Sequence, residues 1–307
     1  MITVLEPGLS TTVQDLGRYG YQRFGVSPAG ALDAPALRLA NAAVGNEPGA
    51  AGLEITLKGP RLRFERPALI ALAGAELSAC LDGEPVPVWQ AQAVPAGAEL
   101  SFGRRIWGCR AYLAVAGGIA VKPVLGSRST HLPSGLGGRA LCAGDTLPVG
   151  RARGQPARAV AAGAARALYE RRVLRVVPGP HDDLLVRRDA LFEGGYRLSP
   201  RCNRMGCELD GPGLAVRGAG ELDSHAVVTG AIQVPPRGAP IVLLADRQTT
   251  GGYPIAGVVA RADLHLIAQL RPGDEVGFEP VALEQAQRAL RAQERRIAAL
   301  IAKGAPC

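Results

Sequence analysis

Aromatic side chains are scarce in this 307-residue chain, at 4%, with two tryptophans and two methionines. Proteins that hold single-stranded nucleic acid do so by stacking bases on aromatic rings. The net charge of +8 therefore carries no nucleic-acid reading by itself. Arginine, which far outnumbers lysine, is spread through nearly every segment, and no helix-turn-helix, zinc-finger or RNA-recognition pattern occurs. No stretch reaches the ~18 uninterrupted apolar residues of a membrane helix. The N-terminus, Met1 to Pro7, has no basic region followed by an apolar run, so the expected address is the cytoplasm, with no membrane partner. The six cysteines, Cys80, Cys109, Cys142, Cys202, Cys207 and Cys307, form no paired C-x-x-C motifs, and no metal site is expected. Also missing are the Walker phosphate loop, the G-x-S-x-G elbow, H-E-x-x-H and a dinucleotide-binding fingerprint. Any nucleotide is bound by other means or by a partner.

What the chain has in quantity is 40 Gly and 24 Pro among 47% hydrophobic residues, without a Gly-X-Y period. They punctuate short apolar runs, which predicts a mainly β protein with a few helices. Ile2–Leu5 reads as a strand closed by Pro7-Gly8. Residues 34–43 read as a helix, with Asp33 as cap, Pro35 in the first turn and Gly45 past the end. Residues 53–102 have the texture of a β-meander, and Tyr112–Val115 and Val173–Val177 are further strands. The composition between Arg151 and Arg166 reads as a linker. Leu283 to Lys303 has apolar residues at helical spacing. The expected organisation is a β-rich subdomain over 1–150, a linker over 151–172, a β-barrel subdomain over 173–280 and a helix over 281–307. Three turn motifs recur in order between the halves: Gly59-Pro60 with Gly211-Pro212, Gly117-Gly118 with Gly251-Gly252, and Gly144-Asp145 with Gly273-Asp274. This points to structural duplication.

The candidate chemistry concentrates where strands end. After the apolar run Ile241–Ala245 comes Asp246-Arg247-Gln248-Thr249-Thr250-Gly251-Gly252-Tyr253. It offers a charged pair, two hydroxyls, and glycines that let a ligand approach backbone N–H groups. Composition alone leaves a ligand site and a self-satisfied hairpin equally open. His181, beside Asp182 and Asp183, is a candidate for proton transfer, and one of these aspartates is expected to cap a helix starting at Leu184. Arg204, next to Met205-Gly206, is a candidate carboxylate or phosphate clamp. In the first half, Gln14 and Arg18 (in Gln14-Asp15-Leu16-Gly17-Arg18) and Arg128 (in Gly126-Ser127-Arg128-Ser129-Thr130) combine polar groups with turn residues.

These segments, together with Thr11–Arg18, Leu53–Pro60, Gly179–Asp183 and Asn203–Gly206, occur in the order found in the KipA-like, allophanate hydrolase subunit 2 family, which the chain resembles. The resemblance implies two cyclophilin-like β-barrel halves. It also implies partnership with a KipI-like B subunit and a LamB/YcsF-like A subunit, in an assembly that opens 5-oxoproline to L-glutamate with ATP. In that setting His181, Asp182, Asp246 and Arg247 are expected to be catalytic. Arg204, Gln248, Thr249, Thr250, Gly251, Gly252, Tyr253, Arg128, Gln14 and Arg18 are expected to bind a small-molecule substrate. ATP is held by the complex or by this chain. His181 stands where relatives often have Gln. The alternatives are a biotin-dependent carboxyltransferase subunit of the urea carboxylase type, with biotin as cofactor, and a non-catalytic regulator of a KipI-like kinase inhibitor.

Overall fold

The run Trp107–Val115 has almost no polar side chain along nine residues, which fits a strand buried on both faces. It lies at the centre of a five-stranded sheet ordered Ser10–Gln14, Gly52–Thr56, Trp107–Val115, Ala68–Glu76 and Ala91–Val94. A second sheet carries Thr146–Leu147, Ile2–Glu6, Arg61–Phe64, Glu99–Phe102, Ala79–Leu81 and Glu84–Pro85. Ile2, Val4, Leu53, Ile55, Leu62, Phe64, Ile70, Leu100 and Leu113 form the common core of the two sheets, each at most 1% exposed. At about 1.5–3 kcal/mol for each large apolar side chain removed from water, this core dominates the stability of its half.

The computed structural model describes residues 1–152, 160–218 and 222–302. Within it the chain divides into two compact units. The first comprises Met1–Arg18, Ala29–Leu168 and the chain from Arg296 onward; the second comprises Tyr19–Pro28 and Tyr169–Arg295. The helix Ala34–Ala43 begins as its sequence predicts. The Asp33 carboxylate accepts from the Ala36 N–H at 2.9 Å, which removes one of the unpaired donors of the first turn. It ends where Gly45, at φ 72°, turns the chain out. Of the linker expected over 151–172, residues 153–159 lie outside the described residues. Ala162–Arg166 is a short helix, followed by a 3-10 turn at Ala167–Tyr169. The alanines that made this stretch look featureless are good helix formers, and Ala165 is fully buried.

In the second unit, seven of the described strands close a barrel: Val173–Pro178, Ile255–Val259, Ala231–Gln233, Ile241–Leu243, Gly206–Asp210, Tyr196–Cys202 and Glu275–Pro280. All neighbours are antiparallel except Val173–Pro178 and Glu275–Pro280, which run parallel, Val173 opposite Gly277. A two-stranded ribbon, His225–Ala226 with Thr250–Gly251, is a sheet of its own beside the barrel. Val227 anchors it by joining Ala231, Leu243 and Ile255 in the barrel core. The mainly β class with a C-terminal helix is thus what the structure has; the second half forms a closed barrel, and the first distributes its strands over two sheets. The helix spans Leu283–Ala302; of the helix expected over 281–307, residues 303–307 lie outside the described residues. Within the second unit its Gln293 donates to the Ala262 carbonyl at 2.7 Å. No helix among the described residues is long and apolar enough to cross a membrane.

Candidate functional site

The residues selected from the sequence divide between the two units. In the first, Asp15 organises the turn around Arg128. Its carboxylate accepts from Gly17 N–H at 2.8 Å, Ser127 Oγ at 2.6 Å, Ser129 Oγ at 2.5 Å and Arg128 N–H at 2.6 Å. Gln14 donates to the Thr130 carbonyl at 2.9 Å, Arg128 Nε to the Val121 carbonyl at 2.8 Å, and the Arg18 guanidinium to the Ser129 carbonyl. Gln14 and Arg18 are almost completely buried. These contacts tie the end of strand Ser10–Gln14 and the turn that follows it to the 124–130 loop. Arg128, Gln14 and Arg18 are the substrate-binding candidates here, and the centre of the arrangement is the Asp15 carboxylate.

In the second unit, the barrel strand Ile241–Leu243 delivers Asp246 and Arg247 just beyond its end, both buried. Arg204 approaches from the turn between Tyr196–Cys202 and Gly206–Asp210. Its Nε and Nη2 donate to the two carboxylate oxygens of Asp246 at 3.0 and 2.9 Å, and the Asp246 N–H returns a bond to the Arg204 carbonyl at 2.9 Å. Such a two-pronged pair, 7% and 1% exposed, has its charge neutralised internally. Arg204 is therefore a brace for the start of the Asp246–Tyr253 stretch, with that fork already occupied.

Arg247 differs. Its Nε donates to the Val227 carbonyl at 3.3 Å, and its own carbonyl accepts from Ser27 Oγ. Burial pulls its guanidinium pKa down from the ordinary value, and nearby Tyr19 opposes this. Gln248 Nε2 reaches Gln233 Oε1 at 3.3 Å. The Thr249 carbonyl accepts from Val227 N–H at 3.0 Å, and Thr250 and Gly251 form one edge of the ribbon. Gly251 is needed for packing: a Cβ there would lie 2.7 Å from Gln233 Nε2. Gly252 accepts from Leu222 N–H at 2.8 Å, and Tyr253 is exposed.

His181 follows Val173–Pro178 and the glycine at 179, where a Cβ would sit 2.1 Å from the Ile255 carbonyl. That close approach lets Ile255 N–H donate to His181 Nδ1 at 3.2 Å. The pattern assigns the proton of the neutral ring to Nε2. The His225 ring stands 4.8 Å away between centroids, tilted by 55°. His225 Nδ1 lies 3.1 Å from the Asp223 carbonyl, which can only accept, so Nδ1 carries a proton. Burial, then His225, lower the pKa of His181, and Asp183 opposes them. The neutral imidazole is favoured. The expected cap by Asp182 or Asp183 does not form: Asp182–Leu184 is a 3-10 turn preceded by His181, with no side-chain cap. The backbone bond from His181 N–H to the Ile255 carbonyl at 3.3 Å holds the chain in a tight turn, which places Leu184 at its end and not at a helix start.

His181, Arg204, Asp246, Arg247 and the ribbon thus share one barrel unit. The sequence reading missed Ser27, His225 and Gln233. His225 offered a signal in the adjacent Asp223-Ser224, whereas Gln233 was hidden inside an apolar strand. Among the described residues no group of three or more His, Cys, Asp or Glu could hold a metal ion.

A family model for the carboxyltransferase domain, subdomain A and B, matches residues 24–280. The chain is 42% identical over 302 residues to the 5-oxoprolinase C subunit of Escherichia coli (strain K12), covering 96% of each protein. It is 37% identical over 299 residues to the protein of the same name from Haemophilus influenzae, again covering 96% of each. The crystal structure of the Kluyveromyces lactis urea carboxylase superposes with a TM-score of 0.92 at 32% identity, over 97% of this chain and 29% of that one. With the model spanning most of the sequence and two relatives matched over nearly their whole length, the chain belongs to the carboxyltransferase domain family, subdomains A and B.

Proposed function

We propose that this chain is the C subunit of an ATP-dependent 5-oxoprolinase, which opens 5-oxoproline to L-glutamate together with KipI-like B and LamB/YcsF-like A subunits in the cytoplasm. The observation that carries this reading is the pair of 5-oxoprolinase relatives matched along 96% of their length. The urea carboxylase structure, by contrast, is matched over 29% of its chain.

In this reading the barrel unit binds the lactam. Arg247 supplies a buried positive charge, Gln248, Thr249 and Thr250 supply hydrogen bonds, and Gly251, Gly252 and Tyr253 shape the approach. The Arg204–Asp246 pair fixes the base of the stretch. His181, neutral with its proton on Nε2, can donate to a lactam oxygen and take a proton back.

A triphosphate finds no open helix N-terminus on the longer helices among the described residues. Among the described residues, the two helices longer than eight residues start at occupied ends. Asp33 caps Ala34–Ala43, and Glu284 and Gln285, the latter accepting from Ala282 N–H at 2.8 Å, close the start of Leu283–Ala302. Negative charge and filled N–H groups there oppose phosphate. In this reading nucleotide is held by the complex, and no step on this chain is routed through it.

Co-purification with B- and A-type subunits, followed by assay of 5-oxoproline consumption with ATP, tests the reading. Arg247→Ala is expected to lower kcat/KM by about 10- to 100-fold, the worth of one charged hydrogen bond. Full activity in Arg247→Ala would remove the proposed site, and an inactive assembled wild-type complex would remove the function. The family itself favours one other reading, carboxyl transfer from carboxybiotin, for which tight binding of a biotinylated carrier protein is the deciding observation.

A further inference from the structure

Among the described residues of the barrel unit three N–H donors are buried without an acceptor, Gln233 Nε2, Arg247 Nη1 and Arg271 Nε, and the first two belong to one region. Gln233 and Arg247 are 2% and 5% exposed. An unmet buried donor costs about 1–3 kcal/mol, more when charged, so two in one region of a folded protein call for an explanation. Both adjoin Val227. Arg247 Nε donates to its carbonyl, and its Cγ1 lies 3.6 Å from the point where a Cβ on Gly251 would stand. From that same point Gln233 Nε2 is 2.7 Å and Gln248 Nε2 is 3.5 Å away.

The orientation of the Gln233 amide is set. Its Oε1 accepts from Gln248 Nε2, which leaves Nε2 turned to the inner side of Gly251. The carboxylate nearest in sequence, Asp246, is engaged by Arg204. The region therefore presents one neutral and one cationic donor, and the acceptor that satisfies such a set is an anion with two oxygens in a plane. The cover is the ribbon His225–Ala226 with Thr250–Gly251, whose cross-strand bonds are separate from the barrel ladder. It can lift without opening the barrel.

We propose that Gln233 is a substrate-binding residue and that, with Arg247, it receives a ligand carboxylate beneath this ribbon, which the bound ligand lifts. The identification of that carboxylate as the one on 5-oxoproline rests on the function proposed above. The lactam ring then projects towards the glycines of the ribbon. Gly251 is explained as well: a methyl group there would press on the amide that binds the ligand.

The test compares two probes, L-5-oxoproline and 2-pyrrolidinone, the same lactam without its carboxylate, on the full chain assembled with its partner subunits. Binding is read by calorimetry and, for 5-oxoproline, by kcat and KM. Gln233→Leu is expected to weaken 5-oxoproline binding and raise its KM by about 10-fold or more, with kcat within about 3-fold. Gln233→Glu, which keeps the shape and adds a negative charge, is expected to weaken it further, while 2-pyrrolidinone binding stays as in wild type. Unchanged 5-oxoproline binding in folded Gln233→Leu, or an equal loss for both probes, overturns the proposal. Should Gln233→Leu not fold, the near-isosteric Gln233→Glu reads the same contact and is expected to show the same split between probes. If the wild-type complex turns over no 5-oxoproline, glutarate serves as carboxylate probe. Glutarate binding lost in Gln233→Leu would uphold this site while the proposed function fails, and glutarate binding retained would overturn the site too.

Discussion

Removing the Asp246 carboxylate tests whether the braced stretch depends on its buried ion pair. Asp246→Ala takes away both acceptors of the Arg204 fork, at 3.0 and 2.9 Å, and leaves a guanidinium in a residue only 7% exposed. Breaking one side of such a pair costs about 3–5 kcal/mol, because the remaining charge stays desolvated. With a urea dependence of about 1–3 kcal/mol per molar, the barrel should unfold at a midpoint lower by roughly 1–5 M. Hydrogen exchange of the amides in Gly206–Asp210 and Ile241–Leu243 reports this unit separately from the other, which matters in a chain with two units. The double variant Arg204→Met with Asp246→Leu removes both charges and should recover most of the loss. The control is Glu275→Ala, which breaks an exposed pair with Arg197 whose side chains are 76% and 63% accessible; exposed pairs are worth about 0–1 kcal/mol. If Asp246→Ala proves no more harmful than Glu275→Ala, the bracing role is wrong.

Two further outcomes are expected. Tyr112 OH donates to Glu54 Oε2 at 2.6 Å and accepts from Asp33 N–H at 2.8 Å, and burial followed by the Glu54 charge push its pKa far above the usual phenol value. Tyr112→Phe should therefore cost about 1–3 kcal/mol by urea titration of the first unit, and the phenolate absorbance that the folded protein develops below its unfolding pH should be the same in Tyr112→Phe as in wild type. The folded pKa of His181 lies below the unfolded value of 6.5, so the unfolded chain takes up its proton first. Stability should be fully present above pH 6.5 and fall as pH drops from there through the folded pKa. His181→Gln should flatten that slope in urea midpoints measured between pH 7.5 and 5, and an unchanged slope would contradict the assignment.

Local signals made the helices and most strands legible: Asp33, Pro35 and Gly45 bracket one helix, and the apolar spacing of Ala286, Ile297 and Leu300 marks another. The Asp246–Tyr253 stretch was visible because glycines after an apolar run are a local pattern. Its chemistry was not visible. Arg204 and Asp246 lie 42 residues apart and meet only because their strands are neighbours in the barrel. Thus Arg204 read as an open clamp although its fork is filled. Gln233 reads as one more strand residue until the register places it behind Gly251. The missing cap at Asp182 has the same origin, a backbone bond to Ile255 that no local pattern encodes.

The parallel pairing of Val173–Pro178 with Glu275–Pro280 has a consequence for biosynthesis. The final strand of the barrel inserts between the first strand and Tyr196–Cys202, so about a hundred residues must leave the ribosome before the ring can shut. Until then two strand edges stand open, each able to template pairing with another nascent chain. A truncation ending before Glu275 should accumulate as aggregate, whereas one that removes only the residues after Ala302 leaves the closing strand in place.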